Sequence, residues 1–240
     1  MDRQPVFVEL IGEPSTGKTH VSLLFLNPVL ADLTLRGKSR VILQKLYPED
    51  WESRYFRIKS FEDLRKALEK AHKDGRRTIV VETGSDLRLM GGEDYLEVLQ
   101  KKKVDRKALH PTEWKQVNKW FNEVINKAME EYKMNVVLTA EMQDEWVSNK
   151  PTGRRKRPGY PRMDFYADVR LYLKVETKVT GINPEVVEKK RVAIVAKNGL
   201  VDQTSPDWVG RIEIPREDPV TGETFEMIMK LTGLGEERWG

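Results

Sequence analysis

The chain has 240 residues, 39% of them hydrophobic and 33% charged, enough for one α/β domain with a self-sufficient core. Cysteine is absent and the three histidines stand at unrelated positions, which excludes disulfides, thiolate metal sites, a cysteine nucleophile and an all-protein zinc site. The net charge of +4 conceals one local excess: Lys150 to Arg162 carries six basic residues and no acid.

No apolar run approaches the ~18 residues of a membrane span, and the opening MDRQPVFVEL lacks the build of a secretory signal, so a cytoplasmic location is expected. PVFVELI (Pro5 to Ile11) is a short β-branched run, as for a strand buried on both faces. KTHVSLLFL then reads as a helix ended by Asn27-Pro28, followed by a second short helix closed at Arg36-Gly37. SRVILQKL (Ser39 to Leu46) reads as a strand.

Ser60 opens a helix with Asp63 three residues on, as in a capping box, and Gly75 stops it. Phe61, Leu64, Leu68 and Ala71 make its apolar stripe. RTIVVET (Arg77 to Thr83) is a third strand. Ser85 to His110, with Gly91-Gly92 inside it, is expected to be only partly helical. A long helix follows from about Thr112 to Tyr132, with Trp114, Val117, Phe121, Val124, Ile125 and Met129 on one face, and Trp120 as a further packing group. NVVLTAEM (Asn135 to Met142) is the fourth core strand. Alternating strands and helices of this kind imply a largely parallel sheet flanked by helices.

Beyond the basic stretch, Asp168 to Gly181 and Glu185 to Gly199 look like an antiparallel hairpin that extends the sheet. TFEMIMKL offers one more strand. No internal repeat and no long linker is visible. The expected organisation is a single α/β domain over 1–240, with a core at about 5–200 and an extension at 201–240.

The chemistry concentrates in GEPSTGKT: Gly12, Glu13, Pro14, Ser15, Thr16, Gly17, Lys18 and Thr19 satisfy G-x-x-x-x-G-K-[ST] between an expected strand and an expected helix, where His20 follows. Glycines let successive N–H groups turn inward around phosphate oxygens, and the helix adds its positive end. The pattern implies a nucleoside triphosphate, ATP with Mg²⁺. Lys18 would reach the β- and γ-phosphates and Thr19 Oγ would ligate the cation. The acid for the magnesium shell is Glu82, ending TIVVE, with Asp86 as the fallback; the usual residue there is aspartate. Thr139 and Glu141 could sense the γ-phosphate or position water. For a general base, Gln44 lies within the expected second strand and Glu49, Asp50 and Glu52 follow it, all without motif support.

GEPSTGKT, IVVETGSD, the long helix into NVVLTAEMQDEW, GRRKRPGYPRMDFYADVRLYLKVE and VAIVAKNG together resemble the RecA-like P-loop ATPases of phages and archaeal viruses. That group includes proteins proposed as single-strand annealing or recombination-mediator ATPases. The resemblance covers about residues 5 to 200. It implies a RecA-like P-loop core with a mostly parallel sheet, hydrolysis at interfaces of a homo-oligomer, and single-stranded DNA as partner. It matches Lys18 and Thr19 to the nucleotide loop, Glu82 to the magnesium-shell acid, and Lys197-Asn198 to the pair that closes a neighbour's ATP site. Lys197 would then lie at the sheet edge, with Lys189, Lys190 or Arg191 as substitutes. The catalytic glutamate usual after the second strand is missing.

The basic segment combines Arg154, Arg155, Lys156, Arg157 and Arg162 with Tyr160, broken by glycines and prolines. It reads as a loop or mobile arm whose guanidinium groups suit phosphates and whose tyrosine could stack on a base. Gln100 to Lys107 is a weaker basic candidate, and Trp51 and Trp146 follow strand ends where nucleotide or DNA could be met. The resulting expectation is a replication or recombination ATPase. The alternatives are a viral helicase or packaging motor, and a nucleotide-dependent switch that binds a protein.

Overall fold

The first strand, β1 (Phe7–Gly12), is buried along its whole length. The computed structural model in which it is seen describes residues 4–34, 37–104, 106–147, 150–157, 160, 163–179, 187–200 and 210–214. In chain order there follow α1 (Lys18–Ser22), β2 (Pro28–Asp32), α2 (Lys38–Leu46), α3 (Trp51–Arg54), β3 (Tyr55–Arg57), α4 (Phe61–Lys73), β4 (Thr78–Glu82) and α5 (Gly84–Lys101). Then come α6 (Trp114–Asn126), a π-helical turn (Lys127–Glu131), β5 (Asn135–Glu141), β6 (Gln143–Val147), β7 (Lys150–Lys156), α7 (Met163–Tyr166), β8 (Val169–Val179), β9 (Val187–Asn198) and β10 (Arg211–Ile214).

Among the described residues, eight strands form one sheet in the order β10-β9-β8-β1-β5-β4-β2-β3, and β6 and β7 form a separate ribbon. The strands from β8 to β3 are parallel, whereas β9 runs antiparallel to both of its neighbours, β8 and β10. This is a RecA-like P-loop core with a C-terminal antiparallel extension. The acid-bearing β4 is separated from β1 by β5. The parallel strands all end on the same side as Gly12, so that side of the sheet collects the loops that carry chemistry.

Two apolar layers hold the sheet. On one face Phe7, Ala31, Val81 and Leu138 meet Phe61, Leu64 and Leu68 of α4 and Phe121 and Ile125 of α6. On the other, Val8, Leu10 and Leu171 meet Val21, Leu23, Phe25 and Leu43. Truncating any of the fully buried phenylalanines, Phe7, Phe25 or Phe61, would cost about 3–5 kcal/mol.

The expected α4 is present in detail. Ser60 Oγ accepts from Asp63 N at 3.1 Å, and the four stripe residues are all buried. The long helix is present as α6 running into the π-helical turn.

Three expectations fail, each for a local reason. The first helix stops at Ser22, because Leu23 and Phe25, two residues apart, are both buried, a spacing that no helical face accommodates. The expected second helix is β2, whose five residues are all buried between β3 and β4. Ser39 to Leu46 is not a strand but lies in α2, since Ser39, Ile42, Leu43 and Leu46 recur at helical spacing while Val41 is 50% exposed. Ser85 to His110 is partly helical, as expected: α5 runs unbroken through Gly91-Gly92 and ends at Lys101. A Cβ at Gly91 would lie 2.6 Å from Phe61 and 2.7 Å from Val117, so glycine is what lets α5 approach α4 and α6. TFEMIMKL lies outside the described residues; the extension contributes β10 instead.

Candidate active site

β1 delivers the chain at Gly12 and the loop returns it into α1. A Cβ on Gly12 would run into the Leu173 carbonyl oxygen of the adjacent β8, so the loop can lie this close to the sheet only with glycine there. Gly17, at φ 96°, makes the last turn before the helix. Thr16 Oγ1 donates to the Glu13 carbonyl at 2.9 Å and braces the loop from within. Lys18 Nζ donates to the carbonyls of Gly12 at 2.9 Å and Glu13 at 2.7 Å, which places the ammonium inside the loop at 5% exposure. Burial holds its pKa below the usual lysine value, and the Glu141 and Glu82 carboxylates oppose that shift.

Beside the loop opens a cavity of about 700 Å³, within the range of small-molecule sites. Pro14, Ser15, Gly17, Lys18, Thr19 and His20 form one wall, and Glu82, Thr83 and Glu141 stand at the strand ends. Thr34, Lys38, Ser39 and Ile42 face them, and β9 contributes Arg191.

Glu82 is the last residue of β4 and is 6% exposed, and its Oε2 has no hydrogen-bond partner. Burial pushes its pKa up to about 7; the Thr139 and Thr19 hydroxyls and the Lys18 charge pull it down, and Asp32 adds to the rise. A buried carboxylate oxygen without a partner, next to a threonine hydroxyl and a lysine, suits a hard cation bound to an oxyanion. Among the described residues, no group of three or more His, Asp or Glu side chains is gathered for a metal. A cation here would take the rest of its shell from phosphate and water oxygens, as Mg²⁺ does.

The other acids sort clearly. Asp86 accepts from Thr83 Oγ1 at 2.9 Å and serves the start of α5. Thr139 is fully buried, with its hydroxyl turned to the Val81 carbonyl, whereas Glu141 reaches the cavity and its backbone N–H donates to Ser85 Oγ. Gln44, Glu49, Asp50 and Glu52 do not line the cavity. Asp50 is engaged by Arg54 and Arg76. The strand expected to carry these four to the site is in fact the helix α2. The true second strand ends at Asp32, which accepts from Thr34 N at 2.8 Å, Thr34 Oγ1 at 2.6 Å and Tyr55 Oη at 3.1 Å. Thr34, Lys38 and Ser39, later in the chain, line the cavity. Sequence reasoning missed all of these and Asp32 itself. The signal was PVLA ending in an aspartate, obscured by the apolar run before it.

Lys197 pairs with Arg170, away from the Leu173–Gly12 level of its own chain's loop, as expected, and β10 covers β9 only from Arg191 to Ile194. Its Nζ donates to the Ala167 carbonyl. The cation that β9 brings to the cavity is Arg191, and the cavity is that of its own chain.

The basic segment is also corrected. Lys150 to Lys156 is a strand paired with β6, not a free arm, and Gly153, at φ 72°, lies where the pairing register shifts, a backbone that glycine tolerates. Arg154, Arg155 and Lys156 therefore sit on a two-stranded ribbon that continues from β5. Arg157 is not available to DNA, because its Nε lies 3.2 Å from Glu9 Oε1 and its Nη2 donates to the Tyr160 carbonyl. Tyr160 is 5% exposed, stacks on Phe121 with centroids 4.4 Å apart and donates its hydroxyl to Asn122 Oδ1 at 3.0 Å, so it cannot receive a base. Arg162 lies outside the described residues. Trp51 packs against the core under Arg40, and Trp114 and Trp120 are packing groups against Arg88, Phe61 and Tyr95.

Residues 4–199 match the protein family described as AAA domain. The chain belongs to that family. No curated protein matches it. Among solved structures, a KaiC-like protein from the hyperthermophilic archaeon Pyrococcus horikoshii OT3 aligns with 81% of this chain and 80% of its own, at 14% identity and a TM-score of 0.49. The AAA domain, its phosphate loop and the strand order make the chain a P-loop ATPase with a RecA-like core. Among the described residues, no helix is long and apolar enough to cross a membrane.

Proposed function

We propose that this ATPase hydrolyses ATP in the cavity beside Gly12–Thr19 and acts on single-stranded DNA, which it contacts through the β6–β7 ribbon. The observation that carries the nucleotide half is the buried, unpartnered Glu82 Oε2 placed beside Lys18 and Thr19. Lys18 would exchange its two loop carbonyls for the β- and γ-phosphate oxygens, keeping the same number of bonds while gaining an anionic partner. Thr19 and Glu82 would hold Mg²⁺, which when bound neutralises charge between the β- and γ-phosphates. Glu141, half-buried at the cavity, is the acid best placed to orient an attacking water. Arg191 of the same chain takes the charge-neutralising role that the resemblance gave to Lys197.

Two facts support the DNA half. The basic residues Lys150, Arg154, Arg155 and Lys156 occupy one strand of a ribbon that, among the described residues, pairs only with itself. That ribbon begins two residues after Glu141, so a shift at the nucleotide end of β5 is passed directly to it. The resemblance to RecA-like ATPases supports assembly into a homo-oligomer. The deciding experiment measures ATPase rate with and without single-stranded DNA, with oligomeric mass determined in both conditions. Stimulation accompanied by assembly supports the reading. A rate indifferent to DNA, with no DNA bound, favours a nucleotide-dependent switch.

A further inference from the structure

The cavity wall opposite the phosphate loop is built from the start of α2, and the phosphate-loop motif gives it no work. Three features of that wall point the same way. Gly37, at φ 58°, is the residue before the nine-residue helix, and no side chain caps it. The first-turn N–H groups of Lys38 and Ser39 therefore have no intrahelical acceptor and point out of the helix end. Ser39 is 4% exposed, lines the cavity, and its hydroxyl has no hydrogen-bond partner among the described residues. A hydroxyl that faces the cavity and is unpaired within the described chain is free to bond what the cavity holds, water or ligand. Lys38 adds an ammonium at the same rim.

Tyr55 packs beside this helix end. Tyr55 Oη donates to Asp32 Oδ2 at 3.1 Å, and a Cβ on Gly37 would come to 3.4 Å from that Tyr55 oxygen. The Asp32 carboxylate is saturated by Thr34 and Tyr55 and so does not compete for the open N–H groups.

From these observations we infer that the Lys38–Ser39 end of α2 is a second oxyanion subsite, which takes a terminal phosphoryl group. Resting on the nucleotide reading above, that group is the γ-phosphate of ATP held by Lys18, or the phosphate released from it. Both are tetrahedral oxyanions, and one hydroxyl, two N–H groups and one ammonium suit either. Across the same cavity Lys18 would reach the β- and γ-phosphates from the loop side, and the two walls together would enclose the terminal one. The subsite thus makes the protein tell a triphosphate from a diphosphate.

The test uses the full chain and the paired variant Lys38→Gln with Ser39→Ala, with Lys38→Arg as a control that keeps the charge. Affinities for a β,γ-imido ATP analogue and for ADP are measured with Mg²⁺ present, and thermal shift with orthophosphate is measured with and without ADP. Loss of hydrogen bonds to a charged group predicts that the paired variant weakens for the triphosphate by about tenfold or more while ADP affinity holds. Lys38→Arg keeps the preference. If only the triphosphate responds, the ligand is the γ-phosphate in place; if orthophosphate also stabilises the wild type and not the pair, the subsite holds the released ion. An unchanged triphosphate-to-diphosphate ratio in the paired variant overturns the inference, as does equal weakening for both nucleotides. Should the wild type bind neither nucleotide, the phosphate-loop reading is what fails. The orthophosphate arm then decides the subsite alone, and absence of any shift overturns it.

Discussion

Arg157 closes onto Glu9: its Nε lies 3.2 Å from Oε1 of a carboxylate with no exposed surface, in the middle of the strand that leads to the phosphate loop. Arg170 Nε meets the other oxygen at 2.7 Å. A charge buried in a central strand is tolerable only when paired in this way, and removing one partner of such a set costs about 3–5 kcal/mol. Arg157→Ala should therefore lower the midpoint of urea unfolding, while the remaining folded protein binds DNA as before. A variant with unchanged stability and weakened DNA binding would return Arg157 to the interface.

The ribbon makes the opposite prediction. Replacing Arg154, Arg155 and Lys156 with alanine should leave the unfolding midpoint nearly unchanged. The plot of log affinity for single-stranded DNA against log salt should flatten by roughly two, at about 0.7 for each phosphate no longer neutralised. Equal slopes for wild type and variant would make the ribbon an ordinary solvated hairpin.

Glu82 gives a pH test with a definite sign. Its pKa in the folded chain is raised by burial from 4.5 to about 7, so between those values the folded state holds a proton that the unfolded state has lost. Stability from this group is therefore full below about pH 4.5 and falls as pH rises towards 7, by roughly 3 kcal/mol in all. Glu82→Gln should remove that slope. Because a cation needs the ionised carboxylate, stabilisation by Mg²⁺ with nucleotide should grow from about pH 6 to about pH 8 in the wild type and stay flat in Glu82→Gln. A wild-type Mg²⁺ effect that is independent of pH would take Glu82 out of the metal shell.

If Arg191, which lines the cavity of its own chain, serves the nucleotide there as proposed, complementation should fail. Arg191→Ala should slow hydrolysis by roughly 10²-fold, the scale for losing one charge-stabilising group. Mixed oligomers of Lys18→Ala and Arg191→Ala should then recover no activity, because each subunit needs both residues. Lys197→Ala should hydrolyse at the wild-type rate. Recovery in the mixture, or an inactive but folded Lys197→Ala, would restore a role for this strand across subunits.

What could be read from the sequence follows from how local each signal was. The phosphate loop, the α4 cap at Ser60 and the runs of β4 and β5 are set by neighbours a few residues apart, and they stand as read. Residues 20–46 mislead because their apolar content is high on every side, and tertiary burial of Leu23, Phe25 and Leu43 decides between helix and strand. The ribbon joins its strands locally, but the Glu9–Arg157–Arg170 set depends on pairing across more than a hundred residues, which no window of sequence displays. For the same reason Tyr160 reads as a base platform, although Phe121 and Asn122 already engage it. Lys38, Ser39 and Arg191 belong to no motif; α2 and the register of β8 with β9 bring them to the cavity.

The central claim is that the Gly12–Thr19 loop and Glu82 form an ATP·Mg²⁺ site. Calorimetric titration of ATP into the wild type and Lys18→Ala, with and without Mg²⁺, tests it most directly. The account predicts one site per chain that tightens with Mg²⁺, and a folded Lys18→Ala protein that binds no ATP under either condition. ATP binding of equal strength in the two proteins, or binding indifferent to Mg²⁺, would contradict it.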